Sequence, residues 1–237
     1  MRQRTRRKAG NSIMRAGNAE YRASLDFPDV MPIFPLAGAL LLPGGNLPLN
    51  IFEPRYLAMT DHALSSHRLI GMIQPDPAAG AGEAEPALCR MGCIGRLTAF
   101  QETGDGRYAI NLTGICRFTI DSEQPLLNGF RQVRFAICED DLDFGHRGDE
   151  SATLHDRDGL LDTLRKYLAA NGMSANWEAV EQTDDETLVT ALCMMSPYGP
   201  AEKQALLEAG DLNTRAETLI AITEIALARN GESSAIQ

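Results

Sequence analysis

The chain changes its hydrophobic period once. Up to about residue 140 apolar side chains tend to recur at every second position, and beyond about residue 154 they recur at every third and fourth. The first rhythm belongs to half-buried strands and the second to amphipathic helices. Residues 31–36 are apolar but carry Pro32 and Pro35; since proline cannot donate to a sheet ladder, this segment is expected at a sheet edge. Pro43, Gly44 and Gly45 force a turn. Leu47, Leu49 and Ile51 then alternate as a strand does, and Glu53-Pro54 closes it. Proline suits the first position of a helix, where its missing amide has no partner to lose, and Glu53 puts negative charge at the positive end of that helix. The helix is predicted over 54–65, burying Tyr56, Leu57, Met59, Ala63 and Leu64.

Further strands are predicted over 68–74, 89–100 and 130–138, with a proline-, glycine- and acid-rich loop at 75–86. Asp105-Gly106 marks a hairpin. From Tyr108 a long row of alternate residues runs to Ile120, interrupted at Gly114, where a bulge or sharp bend is expected. Consecutive antiparallel strands with one apolar face are what a small, nearly closed barrel requires. Residues 140–158 are acidic and turn-rich and mark a boundary. Beyond it, Leu160, Leu161, Leu164 and Leu168 share a helical face that ends at Asn171-Gly172. Thr183 with Glu186 forms a capping-box pattern. Pro200 starts a short helix, and Asn213 is the expected cap of the last one. The organisation read from these signals is a disordered basic tail (1–28), a barrel subdomain (29–140), an acidic linker (141–153) and a helical subdomain (154–230).

The stretch containing PIFPL, the proline-glycine turn and IFEPRYLAM, in that order, resembles the amino-terminal substrate-recognition domain of the Lon ATP-dependent proteases. The same module occurs alone in short bacterial proteins and in cereblon-type ubiquitin-ligase receptors. GCIGRLTAF and YAINLTGICRFTI resemble its fourth and fifth strands, and SPYGPAEKQALLE resembles the segment where a helix turns back onto the others. The resemblance implies an α+β fold: a PUA-like β pseudo-barrel of about six strands followed by a carboxy-terminal helical bundle.

Charge then narrows the function. The net charge is -10, and the basic residues Arg2, Arg4, Arg6, Arg7 and Lys8 are concentrated in the tail, so the remainder is more acidic than the total. PUA-like folds often bind RNA, but neutralising phosphates takes clustered Lys and Arg, and beyond the tail the only lysines are Lys166 and Lys203. No long apolar run suggests a membrane span, and the basic start lacks the apolar core of a secretory signal, so a cytoplasmic location is expected. The five cysteines, at 89, 93, 116, 138 and 193, are expected as reduced thiols. Cys89 and Cys93 have no second pair or suitably spaced histidines to complete a zinc site, and His146, Asp149, His155 and Asp156 sit in a segment expected to be a solvated linker. No metal and no cofactor is expected.

A Lon protease couples ATP-driven unfolding to a serine-lysine dyad, each in its own domain. Here no lysine follows a glycine, so a phosphate-cradling Walker A loop is absent, and no glycine-flanked serine has a lysine that serves as its base. A peptidase is therefore not expected. The preferred reading is a non-catalytic polypeptide-recognition module for unfolded or degron-bearing chains, with a protease or other protein as a further partner. Phe34, Leu36, Leu40, Leu41 and Leu42 are candidates to receive an extended peptide beside the proline-marked edge, and Tyr198, between two prolines, is a candidate to line a groove. Their competing role is core packing. Glu53, Pro54, Arg55 and Tyr56 are assigned a structural role, with Arg55 bonding carbonyls or a carboxylate to hold the helix to the barrel. The alternative is a small-molecule or nucleotide binder with a pocket between barrel and bundle.

Overall fold

The structure, a computed structural model, describes residues 14–77, 85–139, 141 and 153–234. Its first half is a barrel built from β3 (Val30–Pro35), β4 (Asn46–Ile51), β5 (Leu69–Ile73), β6 (Met91–Glu102), β7 (Tyr108–Leu127) and β8 (Phe130–Ile137). The strand order is β4-β7-β6-β5-β3-β8, and β8 pairs back onto β7. Closure depends on the length of β7. Its first residues carry β4, with Tyr108 opposite Ile51 and Thr113 opposite Asn46. Its last residues carry β8, from Phe118 opposite Ile137 to Leu127 opposite Phe130. All pairings are antiparallel except β3 with β5. The fold class is the α+β pseudo-barrel with helices that the sequence implied.

The edge expected at 31–36 is not there. β3 lies between β5 and β8, and the prolines are tolerated because its two neighbours hardly overlap. Pro32 pairs only with Gln132 of β8, Pro35 only with Ile73 of β5, and Ile33 alone has partners on both sides. Each proline therefore has one side free of a ladder, as its missing N–H requires. The strand that ends the sheet's order is β4, which also carries a proline, Pro48.

Gly114 interrupts β7 for two reasons. The β6–β7 register shifts beside it, Ile94 facing Cys116 and Gly95 facing Gly114, which leaves Ile115 as the extra residue of a bulge. A Cβ on Gly114 would also stand 2.0 Å from the Leu42 carbonyl oxygen. The loop before β4 lies on the strand here, with Gly44 N–H donating to Gly114 O at 3.0 Å and Gly114 N–H to Gly45 O at 2.8 Å.

Part of the segment expected to be a disordered tail is ordered. β1 (Met14–Ala16) and β2 (Ala19–Tyr21) form a hairpin turning at Gly17, whose φ is +56°. Met14, Ala16 and Tyr21 join the barrel core with Met31, Ile33, Ile94, Phe118 and Val133. Arg96 Nη1 donates to the Tyr21 hydroxyl at 3.0 Å, and Tyr21 stacks on Phe27 with centroids 5.0 Å apart. Residues 1–13, most of the 75–86 loop's centre and most of the expected linker, His146 and Asp149 included, lie outside the described residues.

On the outer face of the sheet a second core joins barrel and helices. Helix α1 (Pro54–Ser65) has the predicted bounds and buries Tyr56, Met59, Thr60 and Ala63. The helical subdomain comprises α2 (Arg157–Ala170), α3 (Trp177–Gln182), α4 (Asp185–Met195), α5 (Pro200–Glu208) and α6 (Leu212–Ser234). Two caps differ from expectation. α4 is capped by Asp184, whose side chain accepts from Thr187 N–H, rather than by Thr183. At α6 the Asp211 carboxylate accepts from Thr214 N–H at 2.9 Å, and Asn213 instead accepts from His155 N–H at 2.8 Å. An aspartate carboxylate is the stronger acceptor for the exposed N–H groups of a first turn.

Barrel and helices are joined by buried polar groups. Arg117 and Asp141 form an ion pair with side chains 7% and 9% exposed. The same guanidinium donates to the carbonyls of Leu207, Ala209 and Gly210 between α5 and α6. Gln74 of the barrel donates to Pro200 O at 3.0 Å, and Lys203 Nζ to Gly38 O at 2.7 Å.

Candidate functional site

The sequence-predicted binding residues divide sharply. Phe34 is 6% exposed, and Leu40, Leu41 and Leu42 are 2%, 2% and 0% exposed, all within the core between barrel and helices. Leu36 is half-buried and packs on the same core. These residues hold the structure together and offer no groove. The reason is the loop before β4. Anchored by its glycine turn on Gly114, it carries three leucines into the outer core, where each contributes about 2 kcal/mol of burial. The motif residues also differ from expectation. Arg55 pairs with Glu53 at 2.9 Å, both about half exposed, and its guanidinium lies 4.6 Å over the Tyr56 ring. The carboxylate it holds is at the start of its own helix, while its Cβ lies beside Gly129 of the turn between β7 and β8; Tyr56 packs its ring 4.2 Å from that of Phe34.

Tyr198 is the predicted residue that lines an open site, and the site lies within the helical subdomain. α4 stops at Ser196, whose extended backbone suits the residue before Pro197, and Pro200 restarts the chain at the first turn of α5. The short connection holds Tyr198 over the gap between α2 and α6. Thr223 Oγ1 donates to Leu219 O at 2.6 Å, so the 2.6 Å contact between Tyr198 and Thr223 is made by the Tyr198 O–H donating. Burial raises the Tyr198 phenol pKa, against the pull of its hydrogen bonds to Thr223 and Ser196. The group is thus neutral at ordinary pH.

The gap is a groove of about 340 Å³, lined from α2 by Leu160, Thr163, Leu164, Tyr167 and Leu168, from α4 by Leu192 and Met195, and from α6 by Leu219 and Thr223. Among the described residues, its lining holds no charged side chain. Met173 and Met195 form its rim, 47% and 82% exposed. The placement of Met173 follows from the local sequence. α2 ends in a Schellman motif, with Gly172 at φ +64°, Gly172 N–H donating to Ala169 O at 3.2 Å and Met173 N–H to Leu168 O at 2.8 Å. That motif brings the residue after the glycine against the residue three positions before the cap, here Met173 and Leu168. Both line the groove.

Met195 also lines a second cavity, about 250 Å³, between Gly44, Gly45 and Asn46 of the barrel and Thr187, Thr190, Ala191 and Met194 of α4. A pocket between barrel and bundle was the requirement of the small-molecule alternative. Among the described residues its lining lacks charge, and Asn46 Oδ1 already accepts from Asn111 and Thr113. Among the described residues no group of three His, Cys, Asp or Glu side chains is placed to hold a metal, and no helix is long and apolar enough to cross a membrane. Cys93, Cys116 and Cys193 are buried, and burial raises all three thiol pKa values. Of the two lysines among the described residues, Lys203 is occupied by Gly38 O and Lys166 pairs with Asp162 at 2.7 Å.

Compared with known families, residues 30–224 match the ATP-dependent protease La (LON) substrate-binding domain. That span includes the whole barrel and all the groove-lining residues, and begins after the β1–β2 hairpin. A Lon protease of Parabacteroides distasonis is 26% identical over 204 residues, which are 82% of this chain and 24% of that protein. Protein cereblon of Danio rerio is 29% identical over 112 residues, 45% of this chain and 25% of the relative. The chain thus spans about a quarter or less of such relatives, down to 11% of a Lon protease from Anaeromyxobacter dehalogenans. Among solved structures, a Lon N-terminal domain protein from Xanthomonas campestris aligns with a TM-score of 0.56 and 22% identity, covering 81% of this chain and 97% of that one. The N-terminal domain of a Mycobacterium avium complex Lon protease aligns at 0.56 and 19%, covering 82% and 98%.

Proposed function

Because the chain belongs to the family of Lon substrate-binding domains, we propose that it binds unfolded or degron-bearing polypeptides in the helical groove, and that it holds them without cutting them. The observation that supports this reading most is the uncharged groove rimmed by two exposed methionines. Apolar side chains of an extended or locally helical segment gain burial there, and methionine's flexible, polarizable side chain adapts to different occupants. A groove of this size suits a few large side chains at a time. This fits recognition of apolar content more than of one sequence. The proposal sets this activity in the cytoplasm. A separate protease as recipient of the held chain is part of the same proposal, since the family's relatives carry such binding domains within longer proteases.

The test is fluorescence anisotropy with a fluorescein-labelled, uncharged peptide of Leu, Phe and Ser. Leu168→Glu, which places a charge inside the groove, is expected to weaken binding by roughly tenfold or more, the equivalent of losing one buried apolar contact. Phe52→Glu, on the barrel at a residue 62% exposed, is the control and is expected to leave binding unchanged. Equal affinities for Leu168→Glu and the parent protein would remove the groove from the account.

A further inference from the structure

The methionines of the described chain divide in a way that core packing does not explain. Met14, Met31, Met59 and Met72 are at most 5% exposed, and Met91 and Met194 are partly buried, Met194 against Gly45. Met173 and Met195 alone among the described methionines are largely exposed, and both sit on the groove. We propose that Met173 and Met195 are a methionine-oxidation site, at which hydrogen peroxide converts the apolar rim into a polar one and releases the bound polypeptide. The inference rests on the polypeptide-binding reading of the groove.

The chemistry is a two-electron oxygen transfer. A lone pair on the thioether sulfur attacks one peroxide oxygen, an S–O bond forms and the O–O bond breaks. The second oxygen takes up a proton and leaves as water, so the sulfur is oxidised and the peroxide reduced. The sulfoxide is polar and chiral, and it strips an apolar rim of the character that favours apolar occupants. Thiol-dependent sulfoxide reductases reverse the change. Reaction at these two sulfurs is favoured by access, since four of the other described methionines are buried in the cores and Met91 and Met194 are partly covered. The thiols of Cys93, Cys116 and Cys193 are buried and held protonated, which withholds the reactive thiolate.

The experiment treats the folded full chain with hydrogen peroxide, maps the modified residues by peptide mass spectrometry and measures anisotropy with the same Leu-Phe-Ser peptide. The expected result is oxygen added at Met195 first, then at Met173, with affinity falling roughly tenfold. Methionine sulfoxide reductase with dithiothreitol should restore it. The double variant Met173→Leu/Met195→Leu keeps the apolar volume, and its affinity for the peptide, whatever its starting value, is expected to be the same before and after peroxide. Oxidation at both residues with affinity unchanged, while Leu168→Glu still weakens binding, would overturn the oxidation site alone. Peroxide sensitivity that persists in the double-leucine variant would also overturn it. Failure of the untreated protein to bind the peptide would overturn the binding reading beneath it.

Discussion

Replacing Asp141 by Ala tests how the barrel holds the helices. The Asp141 carboxylate accepts three hydrogen bonds from Arg117: backbone N–H at 2.7 Å, Nε at 2.8 Å and Nη2 at 2.8 Å. That carboxylate holds the Arg117 guanidinium pKa above its ordinary value, against the effect of burial. Without it, the charge stays buried beside the Leu207, Ala209 and Gly210 carbonyls, close to a second buried arginine. Arg215 is 5% exposed and donates to Leu206 O at 3.1 Å and Ala209 O at 2.9 Å. The carbonyls at the end of α5 offer partial negative charge, enough to share between two guanidiniums only while the carboxylate neutralises one.

Removing one partner of a buried pair costs about 3–5 kcal/mol, whereas replacing both by apolar groups is often near neutral. We therefore expect Asp141→Ala to lose about 4 kcal/mol and Arg117→Met/Asp141→Leu to lose much less. Urea unfolding followed by the fluorescence of Trp177, the one tryptophan and a residue of the helical subdomain, reads the helices. Far-UV circular dichroism reads the whole chain. If the Asp141→Ala midpoint corresponds to a loss under about 1 kcal/mol, comparable to an exposed pair, the pair is not what docks the helices. A double variant as damaged as the single would refute the charge argument in favour of simple packing.

Two further predictions concern the core. Gly114→Ala should cost about 3 kcal/mol, because the added carbon meets the Leu42 carbonyl and the two main-chain bonds between the loop and β7 must stretch; Gly210→Ala, where nothing lies within 4 Å, is the control in the same melts. Stability should fall as pH rises above 9. A thiol whose folded pKa is raised holds its proton more tightly when folded, so its contribution is complete below the unfolded value and is lost as pH climbs toward the folded one. Burial pushes Cys193 from 9.0 up to about 12, so by pH 10 it accounts for a loss on the order of 1 kcal/mol. Cys93 and Cys116 act in the same direction, while burial lowers the Lys203 pKa and opposes them. Urea midpoints of Cys193→Ala between pH 7 and pH 10 should fall less steeply than the parent's, and an identical slope would contradict the assignment.

The barrel and α1 were legible because their signals are local: alternation, a proline at a helix start, an Asp-Gly turn. The misreadings have equally physical causes. Counting arginines made residues 14–28 a tail, although Met14, Ala16 and Tyr21 alternate around a Gly-Asn turn. Its arginines face solvent, where Arg15 and Arg22 both pair with Glu20. β7 was expected to end near Ile120, yet it continues to Leu127 across Pro125, because a register shift between Gln124 and Leu127 absorbs the proline. Asn128-Gly129, with φ of +50° and +86°, then makes the tight turn. Asp141 was counted with a solvated acidic linker, since composition cannot tell a carboxylate in water from one that meets Arg117, 24 residues earlier in the chain.

The candidate site was half legible for a reason that concerns backbone and side chains separately. Ser196-Pro197 and Gly199-Pro200 require α4 to stop and α5 to start within a few residues, and α4 cannot then extend over the space between α2 and α6. That constraint is written in the sequence, and it singled out Tyr198. The apolar residues of the Lon-like stretch drew attention because they are clustered, but clustering in a strand-rich segment is what a core demands, and Leu40, Leu41 and Leu42 satisfy that demand. Met195 stands at the opposite extreme: the last residue of α4, in a run with Cys193 and Met194, it is indistinguishable by sequence from Met194, which is partly buried against Gly45. What exposes it is the early end of the helix, so the proline pair that creates the groove also supplies its rim. Restoring the helix there, with Pro197→Ala and Pro200→Ala together, should shrink the groove and weaken peptide binding even though no lining side chain except Pro197 is altered.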